Sequence, residues 1–479
     1  MRLQFGEWTP DVTPLASAVV EAKNVTPYVD GYRPLRDVSA KTGALASACV
    51  GAAWFTDEAN VPQTFAGTAA KLYKRSGDAW SDVSLAGGYT GARWEFVKWG
   101  DWCIATNGVE YPQYIDMSSG ANFANLSTAV KGYHMAVIRD FVVFGETTES
   151  ATAYPSRVRW SGFNNAQSYG SSLATQADYQ DLLGNGGRIQ RIVSGDVGVI
   201  FQERSIWTME YVGPATIFRF SEVEPGRGTP SPDSVCWMGS QIYYFSHDGF
   251  MAFSLGGGSQ PIGAAKIDQW FKNEVDTTRL DEIRGVVDRE NRLVYWTFPS
   301  ASAGSASDSM VIYHTPSGRW SCARVTTEII FEGVGVGYNL DTLDSILTDI
   351  DAEPIAVDSR AYLGGATLLS AFDSSHKMAT FDGDYLAAEV STGEMGEDVR
   401  LFITTLRPLV DGGSTVTVQI GSRNTQSENV SWSPVLPVNS TGQITTRRNS
   451  RYTRFKAIVS GGFTRLFGLD INPPQEGAR

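Results

Sequence analysis

The stretch Gly198-Val-Ile-Phe-Gln-Glu-Arg-Ser-Ile-Trp207 decides the fold class. Its apolar residues 199–201 predict a buried strand, and the polar residues 202–205 predict a tight turn. From residue 206 to residue 211 apolar and polar side chains alternate, as they do in a half-buried partner strand. The stretch therefore predicts a β-hairpin.

Other segments repeat this pattern. Residues 239–253 place the dipeptide Asp248-Gly249 between two apolar runs, and residues 100–111 contain Asn107-Gly108 in the same position. Such dipeptides between apolar runs are the strongest short-range signals of a hairpin turn. We therefore expect a chain that is built mainly from hairpins.

The composition agrees with a β-rich globular protein. Of the 479 residues, 49 are glycine and 11% are aromatic, whereas 19% are charged, a balance that favours short strands and tight turns over helices. The apolar fraction of 42% is sufficient for a large core, and the length predicts two or three domains.

The cysteine spacing and the N-terminal sequence indicate the cellular compartment in which the protein is expected. The four cysteines, at positions 49, 103, 236 and 322, form no Cys-x-x-Cys pair that could hold zinc, so we interpret them as reduced core thiols. Residues 1–20 lack the basic start and apolar run of a signal peptide. No apolar stretch approaches the ~18 residues needed to cross a bilayer, so we expect no secretion and no membrane insertion.

The net charge limits the role that nucleic acid can play. At −13, with a pI near 4.9, the chain is acidic, whereas proteins that grip duplex DNA broadly use a basic surface. Basic residues gather in one place, Arg447-Arg-Asn-Ser-Arg-Tyr-Thr-Arg-Phe-Lys456. We interpret this run as a solvated strand edge that is kept from aggregating by its charge.

A repeat organises the middle of the chain. Apolar segments begin near residues 49, 94, 135, 190, 234, 283 and 331, a spacing of roughly 41 to 55 residues that is typical of propeller blades. We therefore predict a β-propeller of seven blades over residues 46–389. Residues 72–80 and 312–320 match each other and predict the last hairpin of a blade, and we expect Trp80, Trp207 and Trp320 to pack between sheets.

The two ends of the chain differ from the repeat. Residues 1–45 contain four prolines among polar residues, which predicts an extended arm that docks on a larger domain. Residues 390–479 contain alternating strands separated by turns, including 399–406, 415–420 and 452–459, and predict an antiparallel β-sandwich, the platform domain.

No catalytic, cofactor or metal site is predicted. The chain lacks Gly-x-Ser-x-Gly and His-Glu-x-x-His, and of its four histidines His247 is best explained by a turn. The acidic loop 341–358 resembles a calcium loop at two positions, but Pro354 stands where an EF-hand needs glycine, so we interpret it as a solvated loop. A carboxylate pair for glycoside hydrolysis cannot be recognised among 52 acidic residues, which leaves a glycosidase open.

Several short motifs follow one another in residues 157–271: Arg157-Val-Arg-Trp-Ser161, Gly186-Gly-Arg-Ile189, Val199-Ile-Phe-Gln-Glu-Arg-Ser-Ile-Trp-Thr-Met-Glu-Tyr-Val-Gly213, Phe218-Arg-Phe220, Ser234-Val235, Asp248-Gly-Phe250, Gln260-Pro-Ile-Gly263 and Trp270-Phe271. In this order they resemble a phage family, the β-propeller tail hub or nozzle proteins of short-tailed bacteriophages, also called packaged-DNA stabilisation proteins. The arm residues 22–34 are also similar to the start of that family. Here Gly162-Phe-Asn-Asn165 replaces the acidic turn expected after the Trp-Ser pair.

The resemblance implies a structural virion protein with no catalytic residues. It implies a homohexameric ring in the virion tail, assembled in the host cytoplasm below the head-to-tail adaptor or portal and in contact with tail fibres or spikes. The ring would retain packaged DNA and channel it during ejection, with DNA passing through without specific binding. The alternative is a propeller carbohydrate-binding protein or glycosidase, which the lack of a signal peptide disfavours.

Overall fold

A computed structural model of the chain describes residues 1–304, 306–335, 367–412 and 415–472, with the side chains of residues 397–399 left aside. Strands make up 57% of the structure and helices 3%, so the expectation of a mostly β protein is confirmed. The helical elements of the described ranges are α1 (Asp268–Glu274) and two 3-10 turns, Pro232–Ser234 and Leu280–Glu282. None of them has the length and apolar character to span a membrane.

Five strands precede the repeats. They are β1 (Arg2–Gln4), β2 (Val19–Lys23), β3 (Val25–Tyr28), β4 (Gly31–Pro34) and β5 (Ser39–Ala44).

Within the described residues, seven four-stranded antiparallel units occupy the middle of the chain, and we number them in chain order. The strands of unit 1 are β6 (Cys49–Thr56), β7 (Pro62–Thr68), β8 (Leu72–Ser76) and β9 (Ala79–Asp82); of unit 2, β10 (Glu95–Trp99), β11 (Trp102–Thr106), β12 (Gln113–Asp116) and β13 (Ala124–Asn125); of unit 3, β14 (Lys131–Ile138), β15 (Phe141–Glu149), β16 (Thr152–Trp160) and β17 (Asp178–Asp181); and of unit 4, β18 (Ile189–Val193), β19 (Val197–Gln202), β20 (Ser205–Gly213) and β21 (Ile217–Pro225). The strands of unit 5 are β22 (Cys236–Met238), β23 (Gln241–Ser246), β24 (Gly249–Ser254) and β25 (Gly258–Pro261); and of unit 6, β26 (Arg284–Asp288), β27 (Leu293–Phe298), β28 (Ser309–His314) and β29 (Arg319–Ala323). Unit 7 contains β30 (Ile329–Val334), β31 (Thr367–Phe372) and β32 (Lys377–Thr380), to which β5 adds a fourth strand.

The units are arranged as a β-propeller, which confirms the predicted fold class. Their first strands pack side by side: β6 against β10, β10 against β14, β14 against β18, β22 against β26 and β26 against β30, and β30 of unit 7 returns to β6 of unit 1. Between units 4 and 5, β18 contacts the 3-10 turn Pro232–Ser234 that precedes β22. Each apolar start of the sequence repeat coincides with or borders one of these first strands. The pattern predicts their positions because each unit begins with an apolar segment that packs against neighbouring units.

The propeller ring is closed by β5, a strand from the N-terminal part of the chain, which completes unit 7. Ala379 of β32 pairs with Ala40 of β5, and Thr380 pairs with Ser39. The sequence analysis assigns residues 39–44 to the arm, so this boundary is corrected: the arm ends before β5. The physical reason is that β32 would otherwise present an unpaired edge of backbone groups.

The predicted packing of tryptophans between sheets is found. Trp320 of unit 6 is fully buried, and its ring lies 5.1 Å from that of Phe250 in unit 5. Trp80 of unit 1 lies 5.6 Å from Phe372 of unit 7, and Trp207 packs against the core shared by units 3 and 4. The two matching segments form the hairpins β8–β9 and β28–β29, each the last of its unit, as predicted.

The C-terminal platform is antiparallel, but its strands form one continuous hydrogen-bonded sheet. They are β33 (Ala388–Thr392), β34 (Met395–Asp411), β35 (Thr415–Arg423), β36 (Ser431–Trp432), β37 (Leu436–Pro437), β38 (Ile444–Ser460) and β39 (Arg465–Ile471). The sheet is continuous because β38, at 17 residues, pairs with β34 over its first half and with β33 and β35 over its second half. The predicted boundary between residues 389 and 390 falls inside β33.

The arm joins the platform to the propeller. In the platform, β1 and β4 pair with β39, and β2 pairs with β33. On its other side β2 meets β29 of unit 6, where Lys23 pairs with Cys322. One hydrophobic core therefore contains residues from all three parts, such as Trp8 of the arm, Trp296 of the propeller and Phe455 of the platform.

Candidate functional site at the centre of the propeller

A cavity of about 460 Å³ lies where the first strands of the units converge. Its walls come from β6, β10, β26 and β30 and from the chain around Arg191 and Asp233. The strands approach closely here: a Cβ on Gly285 of β26 would lie 2.5 Å from the backbone oxygen of Ser234. Charged side chains enter this space from several units, and their arrangement defines the candidate site.

Asp233 is the centre of an ionic cluster. Its Oδ1 accepts a hydrogen bond from Nη2 of Arg93 at 2.6 Å and another from Nη1 of Arg191 at 3.2 Å. Nη1 of Arg284 lies 3.4 Å from Oδ2. Burial alone would raise the pKa of this carboxyl group, but the charges of the three arginines outweigh burial and hold the pKa well below its usual range.

Glu95 is the second carboxylate of the cluster. Its side chain is 5% exposed, and its oxygens lie 3.5 Å from Arg191 and 3.6 Å from Arg93. Burial opposes ionisation of Glu95, yet the positive charges of Arg191 and Arg93 keep its pKa lowered. Glu95 is therefore ionised at neutral pH.

His134 is buried and neutral. Nη1 of Arg93 lies 3.1 Å from Nδ1 of His134. A guanidinium can only donate, so Nδ1 accepts this bond and the ring proton is on Nε2. Burial lowers the pKa of His134. The cluster thus sets three positive charges against two negative ones.

Two of the arginines have donor groups without good partners. The contacts of Arg284 are long, 3.4 Å to Asp233 and 3.4 Å from Nη2 to the backbone oxygen of Val50. Nε of Arg191 is buried and has no hydrogen-bond partner among the described residues. Both side chains line the cavity, so the site offers weakly engaged hydrogen-bond donors together with excess positive charge.

No side chain in this cluster is a candidate in the sequence analysis. Its members come from units that lie far apart in the sequence, from Arg93 to Arg284. Only the closed ring brings them together. One signal was present: Arg93, Arg191 and Arg284 lie at or beside predicted apolar starts, where a buried strand would not be expected to carry a charge.

The histidines and cysteines do not form a metal or nucleophile site. His247 is in the turn between β23 and β24, as predicted, and Nδ1 of His314 bonds Ser317 at 2.7 Å. In the described ranges no three His, Cys, Asp or Glu side chains are grouped so as to hold a metal. The cysteines are free, and burial raises the pKa of Cys49 and of Cys322 to about 12. The acidic loop 341–358 lies outside the described residues.

The basic run 447–456 lies in β38 and divides into two parts. Its second part is interior: Lys456 pairs with Glu21 at 2.7 Å and Glu389 at 3.3 Å, and Arg454 covers the ring of Trp432. Its first part has β34 on one side and no strand on the other, as the predicted strand edge requires.

The first part forms an exposed surface that we call the arginine ribbon. Alternate residues of a strand share a face, and directly opposite residues of paired strands share it too. Asn449 is opposite Phe402, which is 54% exposed. The ribbon therefore consists of Arg400, Phe402, Arg447, Asn449 and Arg451, all exposed. Within the described part of the chain its arginines make no ion pair, in contrast to those of the central cluster.

Comparisons with known proteins concern the fold. No protein-family model matches the sequence, and no curated protein matches it. The chain is similar to BamB from Moraxella catarrhalis, with 13% identity, a TM-score of 0.37 and coverage of 74% of this chain and 92% of that one. It is also similar to the Pan2 WD40 domain of Neurospora crassa, with 7% identity, a TM-score of 0.38 and coverage of 72% and 94%. Similarities at this level carry no argument about function.

Proposed function

We propose that this chain is a structural virion protein, the tail nozzle or hub of a short-tailed bacteriophage. Six copies form a ring in the tail below the head-to-tail adaptor or portal assembly, in contact with fibres or spikes. The ring retains packaged DNA and channels it during ejection, and the chain acts without catalysis. The observation that carries this proposal is the ordered resemblance of residues 157–271 to that family, together with the resemblance of the arm residues 22–34.

The positions of the resembling segments support the proposal. Residues 157–271 extend from β16 through units 4 and 5 to α1, and residues 22–34 extend from the end of β2 to β4. The two segments meet in one hydrophobic core, which contains Val25 and Tyr32 of the arm together with Phe250 and Phe271 of the longer segment. The resemblance thus covers the junction of propeller, arm and platform and extends beyond a single blade.

DNA would pass between subunits in this proposal. The cavity on the propeller axis holds about 460 Å³, which is the volume of a small molecule. The major groove of duplex DNA is about 12 Å wide by itself, so a duplex does not fit along this axis. A conduit must then be enclosed by several copies of the chain, as in a ring.

The arginine ribbon suits contact with a neighbouring copy. A closed ring uses two different faces of one subunit, which must complement each other. The ribbon presents three arginines that make no ion pair with the described residues, and an exposed aromatic side chain, on a chain whose net charge is −13. This face requires an acidic surface on the next copy, and the exposed ring of Phe402 supplies apolar area for the contact.

Electron microscopy of the purified full chain in negative stain tests the proposal. We expect closed rings with an open centre. Isolated monomers at micromolar concentration, or open filaments in place of rings, would refute the assembly on which the proposed function depends. Added portal or adaptor protein should stack on the rings coaxially.

A further inference from the structure

We propose that the central cavity of the propeller binds a small organic oxyanion, a phosphate- or carboxylate-bearing molecule, between Arg191 and Arg284. This inference is independent of the proposed role in a phage tail. It rests on the charge around the cavity, the weakly engaged donors of these two arginines and the shape of the walls.

The charge around the cavity is positive although the chain is acidic. The lining contains Lys98, Arg191, Arg284 and Arg289 against Glu95, Asp233 and Glu332. Arg93 adds a further positive charge behind Asp233. Of the four lining cations, Arg289 already has a partner, since its Nε lies 3.5 Å from Glu332. An anion that enters this space is attracted by the remaining excess of positive charge.

The geometry of the arginines favours an oxyanion over a purely structural role. Arg93, Arg191 and Arg284 all approach the one carboxylate of Asp233, so three like charges are held together. Partly buried like charges repel, and the repulsion is relieved when a further anion joins the cluster. A guanidinium presents N–H groups in a planar fork that matches the oxygens of a phosphate or carboxylate.

The donors that would make these bonds are only weakly engaged. Among the described residues Arg191 donates one hydrogen bond, from Nη1 to Asp233 at 3.2 Å, and Arg284 makes contacts of 3.4 Å. About a fifth of each side chain is accessible. Arg93 in contrast is engaged by Asp233 at 2.6 Å and by His134 at 3.1 Å. We therefore assign the ligand to Arg191 and Arg284 and give Arg93 the role of positioning Asp233 between them.

The walls indicate that the ligand is larger than a bare ion. Phe96, Trp237 and Phe331 line the cavity together with valines of β26. A volume of about 460 Å³ exceeds that of a phosphate ion and is within the range of small-molecule sites. An apolar or aromatic group attached to the oxyanion would cover these walls and gain affinity by burial.

Titration calorimetry of the full chain with two probes, inorganic phosphate and phenyl phosphate, tests the inference at constant ionic strength. We expect one saturable site, with phenyl phosphate binding about tenfold or more tighter than phosphate because it also covers the apolar walls. Arg284→Gln and Arg191→Gln should each weaken phenyl phosphate about tenfold or more. Arg447→Gln in the arginine ribbon, the matched control, should leave its affinity unchanged.

A second measurement keeps the test decisive if a glutamine variant does not fold. Arg191→Lys retains the charge but loses the planar fork, and we expect it to weaken phenyl phosphate while the protein still unfolds cooperatively. Quenching of tryptophan fluorescence on binding would report a ligand beside Trp237. Binding that does not saturate, equal affinity for the two probes, or loss of affinity in Arg447→Gln but not in Arg284→Gln would overturn the proposal.

Discussion

The arginines at the propeller centre and those of the arginine ribbon differ in burial and in ion pairing. At the centre, Arg93 is 10% exposed and shares Asp233 with two further arginines. On the ribbon, Arg447 and Arg451 are exposed and have no carboxylate partner among the described residues. The difference indicates that the central arginines stabilise the closed ring of blades, whereas the ribbon arginines contribute little to folding and are available to a partner.

The largest expected effect is on the stability of the central cluster. Replacement of Arg93 by glutamine leaves Asp233 and His134 without their strongest donor in a buried site, and loss of one partner of a buried pair costs about 3–5 kcal/mol. The matched variant Arg447→Gln on the ribbon should change stability by less than about 0.5 kcal/mol. Urea denaturation of both variants measures the difference, and equal effects would remove the distinction between the two regions.

A smaller effect is expected on the pH dependence of stability. The pKa of buried His134 is lowered on folding, so the unfolded chain takes up a proton on this residue at a higher pH than the folded chain does. Stability from His134 is therefore present above the unfolded pKa of about 6.5 and is lost as the pH falls below it.

The variant His134→Gln isolates this contribution. Its amide oxygen can still accept from Arg93, but the residue no longer titrates. Between pH 7.5 and pH 5.5 the wild type should lose more unfolding free energy than His134→Gln. An identical pH profile for the wild type and His134→Gln would show that His134 does not titrate differently in the folded chain.

The smallest expected effect concerns DNA. Each phosphate that is neutralised by lysine or arginine adds a salt-dependent attraction, and a conduit must let the polyanion slide. With −13 on each chain, we expect duplex DNA to bind more weakly than about 1 µM at ~50 mM salt, a condition that exaggerates electrostatic attraction. Tighter binding that falls steeply with added salt and is lost in Arg447→Gln would assign the ribbon to DNA and contradict a conduit without specific binding.

The sequence predicts the propeller well because each unit carries its own local signal. Apolar first strands and hairpin turns such as Asp248-Gly249 recur at blade spacing, and burial follows that pattern. The sequence analysis misplaces β5 because Ser39–Ala44 consists of small and polar residues that do not alternate with apolar ones. Within this strand only Thr42 is buried. That strand forms because β32 needs a hydrogen-bonding partner, a tertiary cause that leaves no periodicity in the sequence.

The central cluster is invisible to sequence for a related reason. Arg93 and Arg284 belong to units 2 and 6, and nothing in either segment indicates that both reach Asp233. In contrast, the part of the ribbon in β38 is recognised from the run 447–456 as a charged edge, whereas Arg400 and Phe402 are added by the pairing of β34 with β38. Local features are predicted from the sequence, whereas a site at the axis of a closed ring depends on the order in which distant units pack.

The central claim is that the arginine ribbon joins neighbouring copies of the chain. Its most direct test is the oligomeric state of the charge-reversal variant Arg447→Glu/Arg451→Glu. Mass photometry should give particles of six times the 52.1 kDa chain for the wild type and 52.1 kDa monomers for the variant, with unchanged thermal unfolding of the monomer fold. Rings that persist in the variant with undiminished stability would contradict the claim and exclude the ribbon from the subunit interface.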